Sequence, residues 1–384
     1  MQTHLTQKIL IITGLFHPFI GGAERECQNL AKKLISQGHC VTIMTGYVEG
    51  LPPFEMVEGI PVYRKIRGWH LFELTYMISV LLLLWRHRKS FNHILCFGLY
   101  LYTAPAVLFA LCTGKKALLR LKCSGISGDF QCISQLKSEN FTIGCSKLAH
   151  RVLAVSNEIE QDLLLRGFAK KKVFHILNSV DIEKFHPLAN SKLSNIPCIS
   201  FIGRLDRQKG VDILLQALKI LADRGILFNA CIVGDGPSRE ELIADAKRLS
   251  LLDHIQFAGM QQDTVPFYRQ STILALPSRY EGLPHVALEA MACNVAIVGS
   301  YVGGIPEVLD PEGAVPAMPE AYRICKNGIL MPPDAPIELA AAIQNLLDDT
   351  ALREQLGANA RQYIETHYTL DAVADQYLKL IATV

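Results

Sequence analysis

With 384 residues, 50% of them hydrophobic and 19% charged, the chain has apolar material for two domains of about 190 residues each, which excludes a disordered chain. The net charge of +2 hides an asymmetry: residues 1–195 hold 23 Lys/Arg against 13 Asp/Glu, and residues 196–384 hold 15 against 23. Eleven cysteines without a C-x-x-C pair argue against a disulfide frame or a zinc site and suit reduced thiols in a cytosol.

Met1 to Gln7 is polar and no signal peptide is expected; the apolar run Ile9–Ile12 reads as a first buried strand, Lys8–Ile12. Helix Glu24–Ser36 follows, with Leu30 and Leu34 one turn apart on a single face. Further strands are expected at Val41–Met44, Ile94–Cys96, Leu118–Leu121, Val152–Val155 and Val173–Ile176. The longest apolar stretch, Leu71 to Trp85, is 15 residues and carries Glu73. A span needs about 20 apolar residues, so this stretch is expected to be a core helix. Basic residues flank it, Arg64, Lys65 and Arg67 before and Arg86, Arg88 and Lys89 after. With the basic first half, this run raises a second reading, peripheral contact with an anionic membrane, salt-sensitive by nature. Solvated surface charge is the plain alternative.

The polar, proline-bracketed stretch Pro187 to Pro197 is the linker candidate. Beyond it, strands are expected at Ile199–Ile202, Ala230–Val233, Ile255–Phe257, Ile273–Leu276 and Ala296–Val298. Strands alternating with helices in both halves give an α/β class with two doubly wound parallel sheets. In such sheets ligands gather at the carboxyl ends of the strands, which directs attention to three segments.

The first is Pro18 to Glu24, where Gly21 and Gly22 precede a helix and let backbone approach an anion closely. A Gly-Gly turn serves structure equally well. The second is Gly203–Arg204–Leu205–Asp206–Arg207–Gln208–Lys209–Gly210 after strand Ile199–Ile202. Arginine forks onto two phosphate oxygens and lysine acts as a compact charge, so this loop suits a diphosphate; the alternative is an exposed basic loop. The third runs from Pro277 to Glu307. Glu281 sits beside Gly282, Pro284 opens a helix whose first turn offers N–H groups to phosphate, and Glu289 lies one turn past His285. Carboxylates at these positions can accept hydrogen bonds from hydroxyls such as those of a sugar or ribose. The alternatives are a helix cap for Glu281 and a structural ion pair for Glu289.

The order GGAER, GHCVTIMT, NSVDIEKFHP, GRLDRQKG, IVGDGP and the Pro277–Glu307 segment resembles the retaining glycosyltransferases of family 4, of GT-B fold, over nearly the whole chain. Glu281 and Glu289, with seven residues between them, match the family's paired glutamates. The resemblance implies a first, acceptor-side Rossmann-like domain over 1–190, with a final helix at about 368–384 packing back onto it, and a donor-binding domain over 191–367. It implies that Arg204 and Lys209 neutralise the leaving diphosphate, and that Glu281 holds hydroxyls of the sugar and Glu289 the ribose. Gly203 and the backbone of Gly282, Leu283 and Pro284 would meet sugar and phosphates, Gly21 and Gly22 would close over the diphosphate, and Met260 and Gln261 would meet the base.

One departure stands out. Many relatives place a histidine after the strand at Leu118–Leu121, where this chain has Lys122 and Cys123, then Gly125, Gly128 and Asp129. By the resemblance, Lys122 would be the substitute sugar contact and Asp129 could instead meet the acceptor. Ser179 stands where relatives often have glycine. The expected reaction is retaining sugar transfer from a nucleoside-diphosphate sugar to a hydroxyl of a glycan or lipid-linked glycan, in surface polysaccharide, lipopolysaccharide or glycolipid synthesis. No D-x-D triplet is present, so no obligatory metal or other cofactor is expected. Nor is nucleic acid; the expected location is cytoplasmic, in reach of the inner membrane face. The rivals are a phosphorylase or epimerase of similar plan and a binding protein that holds the donor without turnover.

Overall fold

The computed structural model describes residues 6–19, 21–123, 128–188, 196–313 and 317–383. Ile20 of the Pro18–Glu24 segment, Gly125 and most of the Pro187–Pro197 stretch lie outside them. The chain divides into two compact units, residues 1–179 with 370–384, and 180–369.

Unit 1 runs β1 (Lys8–Thr13), α1 (Gly22–Ser36), β2 (Cys40–Gly46), β3 (Phe54–Val57), β4 (Ile60–Ile66), α2 (Phe72–Arg86), β5 (His93–Phe97) and α3 (Thr103–Thr113). It continues with β6 (Lys116–Arg120), α4 (Asp129–Ile133), α5 (Glu139–Ser146), β7 (Arg151–Ala154), α6 (Asn157–Leu165) and β8 (Val173–His175). Its sheet has the order β3-β4-β2-β1-β5-β6-β7-β8, parallel except for the β3–β4 hairpin. The strands are buried on both faces, as parallel sheets require: Ile9 to Ile12 of β1 are all at most 1% exposed.

Unit 2 runs β9 (Cys198–Ile202), α7 (Val211–Asp223), β10 (Asn229–Val233), α8 (Arg239–Arg248), β11 (Ile255–Gly259), α9 (Val265–Gln270) and β12 (Ile273–Leu276). Then come α10 (His285–Ala292), β13 (Ala296–Ser300), α11 (Ile305–Leu309), β14 (Arg323–Ile324), β15 (Ile329–Met331), α12 (Pro336–Asp348) and α13 (Thr350–His367). The sheet order is β11-β10-β9-β12-β13-β15-β14, with only the short β14 antiparallel. The two doubly wound parallel sheets expected from the strand–helix alternation are what the chain forms.

The last helix, α14 (Leu370–Ala382), belongs to unit 1, where Val373, Ala374, Tyr377 and Ile381 are buried and Lys33 of α1 pairs with Asp371. Beneath it lies a polar cluster. Glu26 of α1 is fully buried, and its Oε2 accepts from the Ser179 backbone N–H at 2.8 Å and the Ser179 hydroxyl at 3.0 Å. The Ser179 hydroxyl therefore supplies a second donor to a buried carboxylate. Burial pushes the Glu26 carboxyl up, against the pull of the nearby Arg120 charge and the Ser179 bonds. A carboxyl raised above its unfolded value, about 4.3, stabilises the fold fully below that value, and the contribution fades as pH rises through the folded pKa. In urea unfolding, wild type is therefore expected to lose stability relative to Glu26→Gln between pH 4.5 and neutrality. A shift in the opposite direction would show the carboxylate held by Arg120 instead.

Two expectations need correction. Phe54–Val57 and Ile60–Ile66 form an unforeseen hairpin, turned at Glu58 and Gly59 (φ 47° and 83°). Its inward positions are Ile60, Val62, Arg64 and Ile66, and the buried Arg64 bonds Glu55 Oε1 and the His17 carbonyl, each at 2.6 Å. A cation in an inward slot breaks the hydrophobic alternation by which such a strand is read. The Leu71–Trp85 run, expected in the core, buries only one face of α2: Thr75, Tyr76, Ser79, Val80 and Leu84. Leu74, Ile78, Leu81, Leu82 and Trp85 are 39–64% exposed.

Candidate functional site

In unit 2 the strand order reverses between β9 and β12, and the loops leaving these two strands part to opposite sides and open a crevice. The β9 loop carries Gly203 to Gly210 and the β12 loop Pro277 to Pro284. The topology thus brings the second and third candidate segments to one place.

Within the β9 loop, Asp206 caps a 3-10 turn at Arg207–Lys209, its Oδ1 accepting the Lys209 N–H at 3.3 Å. Its other oxygen lies 3.3 Å from Arg204 Nε, on a side chain 69% exposed. The turn aims Lys209 at the β12 loop, where its Nζ is 2.5 Å from Glu281 Oε1. The Ser278 hydroxyl donates to the same oxygen at 2.8 Å, and Glu281 is 5% exposed. Backbone bonds seal the loops together. The Gln208 carbonyl accepts from Arg279 N at 2.8 Å, and Gln208 Nε2 donates to the Tyr280 carbonyl at 2.9 Å. Arg279 forks onto both oxygens of Asp212 at 2.7 and 2.9 Å and reaches Asp334 at 2.7 Å. Burial alone would raise the Asp212 carboxyl, but the Arg279 bonds and charge outweigh it and hold the group below its ordinary value.

Glycines permit this closeness. Gly234 (φ 135°) lies against the Gly203 carbonyl and Gly303 (φ 56°) against that of Glu281, so a Cβ at either would overlap backbone. Gly304 N–H donates to the Gly282 carbonyl at 2.5 Å. Gly282, Leu283 and Pro284 are buried, and Pro284, expected to open the helix, is instead the extended N-cap of α10, which has no side-chain cap. Glu289, 2% exposed, accepts from the Tyr268 hydroxyl at 2.7 Å. Met260, 78% exposed, and Gln261 follow β11, two strands from β9. Ser278, Asp206 and Tyr268 were not anticipated. Ser278 and Asp206 lie inside the segments already singled out, whereas Tyr268, on α9, gave no signal.

Unit 1 repeats the logic. Its order reverses between β1 and β5; whereas a cavity of about 710 Å³ in unit 2 lies at the opposite strand ends, a cavity of about 570 Å³ here opens beside the β1 and β5 loops. Its walls include Glu24, Tyr47, Arg67, Tyr100, Lys122 and Asp129. Asp129 ties the loops: Oδ1 accepts from Leu99 N at 2.8 Å, and Oδ2 from Lys122 N at 2.5 Å and Cys123 N at 3.1 Å. Its carboxylate thereby positions the Lys122 backbone, while the Lys122 side chain crosses Gly98 (φ 101°), where a Cβ would come within 2.6 Å of Cε. Gly98 was also missed. Gly21 is the N-cap of α1 and Gly22 its first residue, again without a side-chain cap.

A cation–carboxylate pair under a glycine-lined backbone is chemically a receptor for an anion bearing hydroxyls: the cation takes the charge and the carboxylate the hydroxyl protons. Residues 186–363 match the model described as glycosyl transferases group 1, and residues 20–184 that of glycosyltransferase family 4. An uncharacterized glycosyltransferase of Methanocaldococcus jannaschii is 26% identical, over 96% of each chain. Sucrose-phosphate synthase from Thermosynechococcus elongatus superposes with a TM-score of 0.79 at 22% identity, covering 98% of this chain and 100% of the other. Anabaena HepE, solved in complex with UDP, gives 0.79 at 19% identity with the same coverage. Two family models that together take in most of both units, on a fold shared with these solved structures, establish that the chain belongs to the glycosyltransferases of the family 4 type, with the GT-B fold.

Proposed function

We propose that the protein transfers a sugar from a nucleoside-diphosphate sugar to an acceptor hydroxyl with retention at the anomeric carbon. The observation that carries this reading is the Lys209 Nζ–Glu281 Oε1 contact of 2.5 Å at the unit 2 switch point, which sets a diphosphate-type cation against a hydroxyl-type acceptor. UDP bound to HepE on the same fold supports a nucleotide donor. Arg204 and Lys209 neutralise the charge that grows on the diphosphate as the anomeric C–O bond breaks. A departing phosphate oxygen accepts the proton of the attacking hydroxyl on the same face. These cations stand in for a metal ion. Arg67 and Lys122 beside the tyrosines of the unit 1 cavity suit an acceptor with an anionic group and sugar rings, such as a lipid-linked glycan of a surface-polymer or glycolipid route.

The test is a melting-temperature screen across UDP-, GDP- and ADP-sugars, because a ligand that binds only the folded state raises the midpoint. It is followed by an assay for released nucleoside diphosphate with candidate acceptors. One donor is expected to raise the midpoint, and release is expected only with an acceptor, unchanged by EDTA. Stabilisation without release across a broad acceptor set would favour the binding-protein rival; abolition by EDTA would remove the cations from the role given to them.

Tyr268 acts as a positioning residue for the ribose contact. Hydrogen bonds to charged groups contribute about 1.5–3 kcal/mol, so Tyr268→Phe is expected to raise the donor KM about tenfold with kcat nearly unchanged. An unchanged KM would detach Glu289 from the donor.

A further inference from the structure

The exposed face of α2 is a feature that sugar transfer leaves unused. At 3.6 residues per turn, Leu74, Ile78, Leu81, Leu82 and Trp85 project within an arc of about 100°, and all five are exposed. Leu71 and Trp69, 78% and 53% exposed, extend the patch beyond the helix start. Both tryptophans of the chain thus lie on it. A water-facing stripe of this kind needs a partner.

The surrounding charge identifies the partner. Lys65 and Arg67 precede the stripe, and Arg86, Arg88 and Lys89 follow it. Between residues 59 and 93 the sequence has one acid, Glu73, and both its oxygens are engaged by the backbone N–H groups of Lys137 and Ser138 at 2.9 and 2.8 Å. The Arg88 guanidinium lies 4.5 Å from the centre of the Trp85 ring. A second copy of the chain would set like charges against each other in either orientation, since both ends are basic. A bilayer crossing is excluded by length: among the described residues no helix is long and apolar enough.

The geometry points to α2 as an in-plane membrane anchor, its leucines and tryptophans entering the acyl boundary while Lys65, Arg67, Arg86, Arg88 and Lys89 engage anionic headgroups. Phe72 and Arg67 also line the unit 1 cavity, so docking places that cavity beside the lipid surface. The docking does not depend on which sugar is transferred.

The two tryptophans supply the readout. Full-length protein is mixed with vesicles of phosphatidylcholine, with or without phosphatidylglycerol, some carrying brominated acyl chains. Phosphatidylglycerol vesicles are expected to shift tryptophan emission to the blue and, when brominated, to quench it; high salt reverses both. Leu74→Asp with Leu82→Asp is expected to weaken partition at least about tenfold, with circular dichroism unchanged because both sites are exposed. Arg86→Glu, Arg88→Glu and Lys89→Glu together are expected to abolish the preference for phosphatidylglycerol. No spectral change with either vesicle, or wild-type partition by the double aspartate variant, overturns the proposal. Self-association lost in that variant, without vesicle binding, assigns the face to a second copy and overturns it equally.

Discussion

Lys209→Ala is expected to lower kcat about a hundredfold, and Arg204→Ala by a similar factor, as loss of a preorganised charge stabiliser does. The two residues reach this result differently. Lys209 is held on Glu281 at 2.5 Å, its side chain 22% exposed. Its loss removes a cation and also releases a carboxylate that it orients, so the donor KM should rise along with the fall in kcat. Arg204 is 69% exposed and pairs with Asp206 of its own loop, so its loss should act chiefly on kcat and leave the melting temperature unchanged. Lysine at 204 should recover little, because a point charge cannot fork onto two phosphate oxygens. Steady-state kinetics with the donor found by the melting screen provide the check. Near-wild-type kcat in both alanine variants would remove the diphosphate from this loop.

What could be read from residue order, and what could not, follows from the range of the interactions. Strands such as Lys8–Thr13 and Ile273–Leu276 are short apolar runs between turns, and a doubly wound sheet buries both their faces, so local composition reveals them. The loops at the switch points are legible for the same reason: each begins where such a run stops. The partners inside the site are not. Tyr268 meets Glu289 across 21 residues and Lys209 meets Glu281 across 72; only the closing of the sheet brings them together, and only the paired-glutamate resemblance hinted at the second. The α2 face was misread for a converse reason. A run apolar on all sides has no period, so nothing local distinguishes the half that packs from the half that faces water.

Gly210→Ala is expected to destabilise unit 2 by about 3 kcal/mol and to raise the donor KM at least tenfold. Gly210 closes the β9 loop at φ 66°, a left-handed conformation that costs an L-residue with a side chain about 1–2 kcal/mol. Its missing Cβ also allows it to lie against Pro277, where an added carbon would overlap the carbonyl oxygen and carbon. Backbone cannot swing away as a flexible side chain can, so the β9 and β12 loops must separate. The separation pulls Lys209, the neighbouring residue, off Glu281. Gly225, just past the end of α7, isolates the two effects: it has φ 71° but nothing within 4 Å of an added Cβ. Gly225→Ala should therefore show the conformational cost alone, about 1–2 kcal/mol, with kinetics unchanged. Urea midpoints and donor KM for the pair measure the difference. If the two variants lost equal stability and both kept wild-type KM, the contact of Gly210 with Pro277 would have no part in holding Lys209 on Glu281, and the joining of the two loops would have to come from the Gln208 and Arg279 bonds.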